Sequence, residues 1–305
     1  MASRIRMASR MASRSTTTIA SKGRELRLAV FECENLQEHL RPSVFERTGG
    51  YLQLLQSAFT HVLHNSSSLQ LRSDCIIAHH PPHPSSLSLT GFDTKAGEYP
   101  SDLGEFDGVL ITGSLSGVYD GEPWIQRLLH EIRILDERKI KTVGISFGHQ
   151  AIAQALGGHV QRNPKGSEVS VRSAWVTERG QILFNPLKKE FQLHYHHNDA
   201  ILNLPPDFWV LASNNVTEFQ SIYKPYHFLT FCGHPDYSHT IEVLEQLLEY
   251  DRQKLWVPEQ LIEHGLATLS QPTDYEWVIK QISRFYLGDF DKLAESALTS
   301  STVNN

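Results

Sequence analysis

The sequence predicts an α/β protein: a mostly parallel sheet flanked by helices, with a small antiparallel extension. Residues 106–114, 140–150 and 228–236 each run from a β-branched or aromatic segment into a glycine-bearing turn, as buried strands do at a sheet edge. Between the first two, Pro123 opens a segment in which Ile125, Leu128, Leu129, Ile132 and Leu135 recur at helical spacing. A strand, a crossover helix and a second strand in that order make the two strands parallel neighbours.

Taken in order, residues 26–33 read as a buried first strand, a short apolar run bounded by polar residues. A loop is expected up to Arg47. Thr48 then caps a helix that buries Leu52, Leu55, Phe59 and Val62. Residues 75–78 read as the second strand and 107–112 as the third. His79, His80 and His83 alternate with prolines that enforce an extended, solvated loop, and no acidic or cysteine ligand stands beside them to complete a metal site. After the helix opened by Pro123, residues 140–145 supply the next strand. Valines, threonines and the turn at 163–166 suggest antiparallel hairpins beyond Gly157 and Gly158. Ile241, Leu244 and Leu248 mark an amphipathic helix closing the sheet. Residues 257–287 are expected to be helical with a break at Pro272, and 296–305 to form a loose tail.

With 305 residues, 40% of them apolar, the chain can bury one substantial core. A net charge of -6 supplies no basic footprint for nucleic acid. No apolar run approaches the roughly 18 residues of a membrane span. Cys33, Cys75 and Cys232 are odd in number and widely spaced, which argues against a disulfide framework or zinc site and for a reducing, cytoplasmic setting. Residues 1–25 are set apart: Met-Ala-Ser-Arg occurs three times, and six basic residues precede the first acid, Glu25. That is the composition of a mitochondrial targeting peptide, but apolar residues are sparse there, which favours a disordered tail.

The chemistry centres on Gly144-Ile145-Ser146-Phe147-Gly148-His149-Gln150. A strand entering Gly-x-Ser-x-Gly and leaving as a helix is a nucleophile elbow, which lifts Ser146 out of the sheet and aims the next backbone N–H at a developing oxyanion. The turn at Gly113 can offer a second N–H beside that of Phe147. In Gly233-His234-Pro235-Asp236, residues 234 and 236 share one face of an extended strand end. Asp236 can then orient His234, and His234 can take a proton from Ser146.

These three ordered motifs, with Gly49-Gly50-Tyr51, Lys165-Gly166-Ser167-Glu168-Val169 and His196-His197-Asn198-Asp199, make the chain resemble the class I glutamine amidotransferases in their stand-alone form. It is similar in pattern to plant γ-glutamyl peptidases and to amidotransferase-like proteins of fungal secondary-metabolite clusters. The resemblance spans residues 26–240. It implies a flavodoxin-like fold over 26–250, with 251–305 as a helical extension and tail. It also implies an oxyanion hole at Gly113 and Phe147, a γ-glutamyl substrate met by Ser114, Gln150 and Glu168, and no cofactor or metal; His194, His196 and His197 would serve structure or substrate. Three positions depart from the family: Ser146 stands where it has cysteine, Asp236 where it has glutamate, and Cys232 where it usually has glutamine. A thiol beside a histidine ionises, whereas a hydroxyl must lose its proton during attack. Three readings stay open: hydrolysis of a γ-glutamyl amide, with ammonia passed to a synthetase acting in trans or a γ-glutamyl peptide trimmed; a non-catalytic binding protein; and a deliberate exchange of cysteine for serine at 146, against which the further differences at Asp236 and Cys232 argue.

Overall fold

The computed structural model describes residues 17–18, 25–69, 86–237 and 240–302. The strand expected at 75–78, Cys75 and the histidine–proline segment at 79–84 lie outside them, as does nearly all of the N-terminal tail.

Strands β1 (Thr17–Thr18) and β2 (Glu25–Glu32) precede helices α1 (Pro42–Thr48) and α2 (Tyr51–Leu69). There follow β3 (Ser86–Asp93), β4 (Gly108–Ile111), α3 (Pro123–Glu137), β5 (Thr142–Ile145) and α4 (Phe147–Ala155). The next stretch comprises β6 (His159–Arg162), β7 (Glu168–Val176), α5 (Glu178–Leu183), β8 (Glu190–His197), β9 (Asp199–Asn203), β10 (Trp209–Ser213), β11 (Ser221–Lys224) and β12 (Phe228–Phe231). Helices α6 (Ile241–Lys254), α7 (Glu259–Thr268), α8 (Tyr275–Tyr286) and α9 (Asp289–Thr302) complete the chain.

Among the described residues ten strands form one sheet in the order β1-β3-β2-β4-β5-β12-β11-β10-β7-β8. The run β3-β2-β4-β5-β12 is parallel, and from β12 to β8 the neighbours are antiparallel. β6 and β9 pair separately. Every residue of β4, β5 and β12 is buried, as parallel strands covered on both faces require. On one side α3 buries the five expected residues, Ile125 through Leu135. On the other, α2 buries Leu52, Leu55, Phe59 and Val62, and α8 adds Val278, Ile279, Ile282 and Phe285 to the same core.

Several expectations are corrected. The stretch before Arg47 is not all loop, since it carries a 3-10 turn at Leu36–Glu38 and α1. Thr48 ends α1, its hydroxyl donating to Val44 O at 3.0 Å, rather than capping α2. The strand that follows α2 in the described chain is β3, which the sequence reading did not mark; paired residue for residue with β2, it buries its first four residues. Ile241 is 37% exposed, and Val243, Leu244, Leu247 and Leu248 do the packing of α6. Residues 296–302 belong to α9, held by buried Phe290 and Ala294, so the loose tail is not found there. The break at Pro272 falls between α7 and α8 as expected.

Candidate active site

Four strands deliver their carboxyl ends to one place, the edge at which open parallel sheets hold ligands. β5 leads directly into Ser146, which takes φ 52° and ψ -107°. That conformation is sparsely populated for a residue with a Cβ and costs about 1–3 kcal/mol. Its neighbours enforce the turn. The Ser146 N–H donates to Phe231 O of β12 at 2.8 Å, and the Gly148 N–H donates to Thr112 O at 3.1 Å. A Cβ at 148 would stand 2.4 Å from Ile111 O, so only glycine lets α4 descend this close to β4. Phe147 opens α4, which leaves its N–H without an intrahelical acceptor.

The loop after β4 lies against the candidate base. A side chain at 113 would meet Tyr51 Oη at 2.7 Å and His234 Cε1 at 3.0 Å. Glu34 fixes this loop: its Oε2 accepts from Ser114 Oγ at 3.1 Å and from the Leu115 N–H at 3.0 Å. Burial opposes the charge on Glu34, but hydrogen bonds from His39 and Lys95 prevail and hold its pKa down to about 2.

β12 ends at Phe231, so residues 234–236 lie in a bridge and turn beyond it rather than in a continuing strand. The expected contact forms nonetheless. His234 Nδ1 is 3.2 Å from Asp236 Oδ1, and both side chains are buried. The ring of Tyr237 stacks on His234 with centroids 4.1 Å apart and planes 8° from parallel. Behind it, the Tyr237 and Tyr51 hydroxyls meet at 2.7 Å. Burial pushes His234 below its ordinary pKa, with Asp236 opposing, so the ring is neutral at pH 7. Its Nε2 is buried without a hydrogen-bond partner, so no hydrogen bond joins it to Ser146.

A cavity of about 50 Å³ opens onto Ser146. Of the residues singled out in the sequence, Ser114, Ser146, Phe147, Gln150 and the run His196 to Asp199 line it, whereas Gly113, His234, Asp236 and Glu168 do not. Gln150 Nε2 donates to Asp199 O at 3.2 Å, placing the side chain along the β8–β9 turn. Glu168 lies behind the wall, accepting from Asn214 at 2.7 Å and Gln220 at 2.8 Å. His197 Nε2 is 3.3 Å from Glu168 Oε2, near enough for an ion pair though not aligned as a hydrogen bond. Burial alone would lower the His197 pKa, but Cys232 and Glu168 beside the ring raise it well above its ordinary value. Glu168, disfavoured by burial, is held down to about 2 chiefly by His197.

The histidines of β8 diverge. The His194 Nε2–H donates to Leu269 O at 2.9 Å, His196 Nε2 meets Asp251 Oδ2 at 2.8 Å, and the His197 Nδ1–H donates to Asp199 O at 2.9 Å. Among the described residues no group of three or more His, Cys, Asp or Glu side chains is arranged to hold a metal ion. Nor is any described helix long and apolar enough to cross a membrane.

Sequence reasoning missed Glu34, Tyr237, Asp251 and Trp256. Tyr237 adjoins a motif and Tyr51 lies in one, so both were within reach; nothing local marks Asp251 or Trp256.

A mostly parallel sheet with a strained Ser elbow, a buried His–Asp pair and a small cavity at the carboxyl edge defines an α/β fold of the nucleophile-elbow kind. The class-I glutamine amidotransferase model matches residues 84–248, more than half of the 305 residues, and the chain belongs to that family. It is 34% identical over 194 residues to a glutamine amidotransferase-like protein of Schizosaccharomyces pombe, covering 62% of this chain and 77% of that protein. It is 29% identical over 189 residues to γ-glutamyl peptidase 5 of Arabidopsis thaliana, covering 59% and 74%. A glutamine amidotransferase crystal structure from Thermotoga maritima shares the fold, with TM-score 0.60 and 16% identity over 87% of this chain and 98% of that one.

Proposed function

We propose that this protein binds a γ-glutamyl amide at the cavity beside Ser146 and hydrolyses it slowly, the slowness arising from serine at the nucleophile position. The observation that carries the reading is the elbow: Ser146 held at φ 52° between β4 and β12, with His234, backed by Asp236, just beyond the end of β12. In the reaction, Ser146 Oγ attacks the γ-carbonyl carbon and its proton passes to His234 Nε2. The oxyanion is met by the N–H groups of Phe147 and Gly113. His234 then protonates the departing ammonia or amine, and water cleaves the resulting ester by the reverse route. Ser146 and His234 must draw together for this, as catalytic pairs commonly do only when substrate binds. Ser114 and Gln150 contact the glutamyl end, while Glu168 acts through His197. Residues 26–250 form the amidotransferase-like unit and 251–305 its extension.

Ammonia released here would serve a biosynthetic enzyme acting in trans; γ-glutamyl peptide trimming needs no such partner. A binding-only protein is the second reading, favoured by the unpartnered Nε2 of His234.

The test is Ser146→Cys, assayed for ammonia or amine release from glutamine and a γ-glutamyl dipeptide. A thiol beside His234 is expected to raise kcat/KM by about ten-fold or more, and Asp236→Glu in that background to raise it further if carboxylate reach also limits. No gain in either variant, with binding intact, supports the second reading.

A further inference from the structure

The cavity at Ser146 is too small for a whole γ-glutamyl compound. At about 50 Å³ it has room for about four waters, enough for the reacting amide and little more. The remainder of any substrate must lie across the rim. The floor is buried and polar, made by Ser146, Gln150 and His197. The rim differs, because the lining also includes the part-buried Leu115 and the exposed Trp256. Trp256 is 40% exposed, and its neighbour Leu255, in the left-handed region at φ 55°, is 88% exposed. An indole left half in water beside a polar cavity is apolar surface available to a ligand.

Trp256 is held in place. Its carbonyl accepts from Arg162 Nη2 at 2.9 Å, its N–H donates to Asp251 O at 3.1 Å, and its ring meets Tyr250 edge-on at 5.7 Å. Asp251, buried and itself in the cavity lining, is tied to His196 of β8 at 2.8 Å. The wall between α6 and α7 is thus braced from both β6 and β8. Both Asp251 and Trp256 lie past residue 248, where the family match ends.

We infer that Trp256, with Leu115 in the same lining, is a specificity-determining residue that receives an apolar group attached to the γ-glutamyl amide nitrogen. The preferred substrate class is then a γ-glutamyl peptide or amide with a bulky apolar leaving group, not free glutamine. This rests on the γ-glutamyl reading above. The bond broken is the same amide C–N bond, and Trp256 takes no part in proton transfer; it buries the leaving side chain.

Calorimetry on the full chain with γ-glutamylphenylalanine, γ-glutamylglycine and glutamine tests this. The wild type is expected to bind the phenylalanine compound about ten-fold or more tightly than the glycine compound, as burial of an aromatic ring against indole implies. Trp256→Ala is expected to abolish that difference by weakening the phenylalanine compound about ten-fold more than the glycine compound, and Trp256→Phe to keep most of it. Equal affinity of the wild type for the two dipeptides overturns the inference and leaves the γ-glutamyl reading standing. So does a Trp256→Ala variant that, with an unaltered circular dichroism spectrum, weakens both dipeptides alike. Failure to bind all three compounds overturns the γ-glutamyl reading and this inference with it.

Discussion

Two buried histidines at the same sheet edge, His234 beyond β12 and His197 at the end of β8, have been driven to opposite charge states. His234 has one carboxylate partner, Asp236, and a phenol ring stacked on its face, so desolvation dominates and the ring stays neutral. His197 lies between Glu168 and Cys232, and these neighbours outweigh the same desolvation and keep it protonated. A neutral imidazole with a free Nε2 suits a base. An imidazolium paired to a carboxylate suits a fixed wall. Burial alone therefore does not tell the two roles apart; the number and kind of neighbours do.

The sharpest way to break this contrast is to remove each ring. His234→Ala in the Ser146→Cys background is expected to cost about 10³-fold in kcat/KM, within the range for loss of a general base. A loss below about ten-fold would remove His234 from the relay. His197→Gln strips the partner from a buried carboxylate and is expected to lower unfolding free energy by about 3–5 kcal/mol in urea titrations. Adding Glu168→Gln should return part of that loss, because the uncompensated charge goes too; no recovery would mean that the pair is not coupled.

Tyr237 offers a smaller, graded test. Tyr237→Phe keeps the stack and loses only the hydroxyl contact with Tyr51, a cost of about 1 kcal/mol. Tyr237→Leu also loses the stack, about 0.5–1.5 kcal/mol more, and admits water to the ring, so the His234 titration followed by NMR should move up toward the ordinary histidine range. An unmoved titration would show that the ring's burial does not depend on Tyr237.

The smallest effect is on pH dependence. Because the neutral ring is the form of His234 that takes the Ser146 proton and its pKa lies below the ordinary histidine value, the acid limb of the wild-type kcat/KM is expected below pH 6.5. Stability follows the opposite signs of the two rings. For His234, and for His149 whose burial lowers it to about 3, the unfolded chain binds the proton first, so stability falls as pH drops below about 6.5. The contribution of His197 is full below that value and is lost as pH rises through its raised folded pKa. A stability curve flat from pH 8 to 5 would contradict both.

Much of this was legible in the chain. The buried stripe of α3 and the elbow at Ser146 follow from local spacing, and the structure repeats the stripe residue for residue. β3 was legible too, since Ser-Leu-Ser-Leu alternates with the period of a strand, but serines read as turn residues when no pairing partner is in view. Glu168 was expected to meet substrate, and what the sequence could not show is that His197, Asn214 and Gln220 lie against its carboxylate.

The sequence by itself determined the α/β class, the order of strands and helices around the elbow, and which residue types gather at the carboxyl edge, because these depend on periodicity and turn chemistry within short windows. Only the tertiary structure decided the charge of each histidine, the stacking of Tyr237 on His234, and the placing of Asp251 and Trp256 at the cavity. Those outcomes depend on desolvation and on contacts between side chains far apart in the chain: Tyr51 with Tyr237 across 186 residues and His196 with Asp251 across 55. No local pattern encodes such pairings; packing the sheet against its helices creates them.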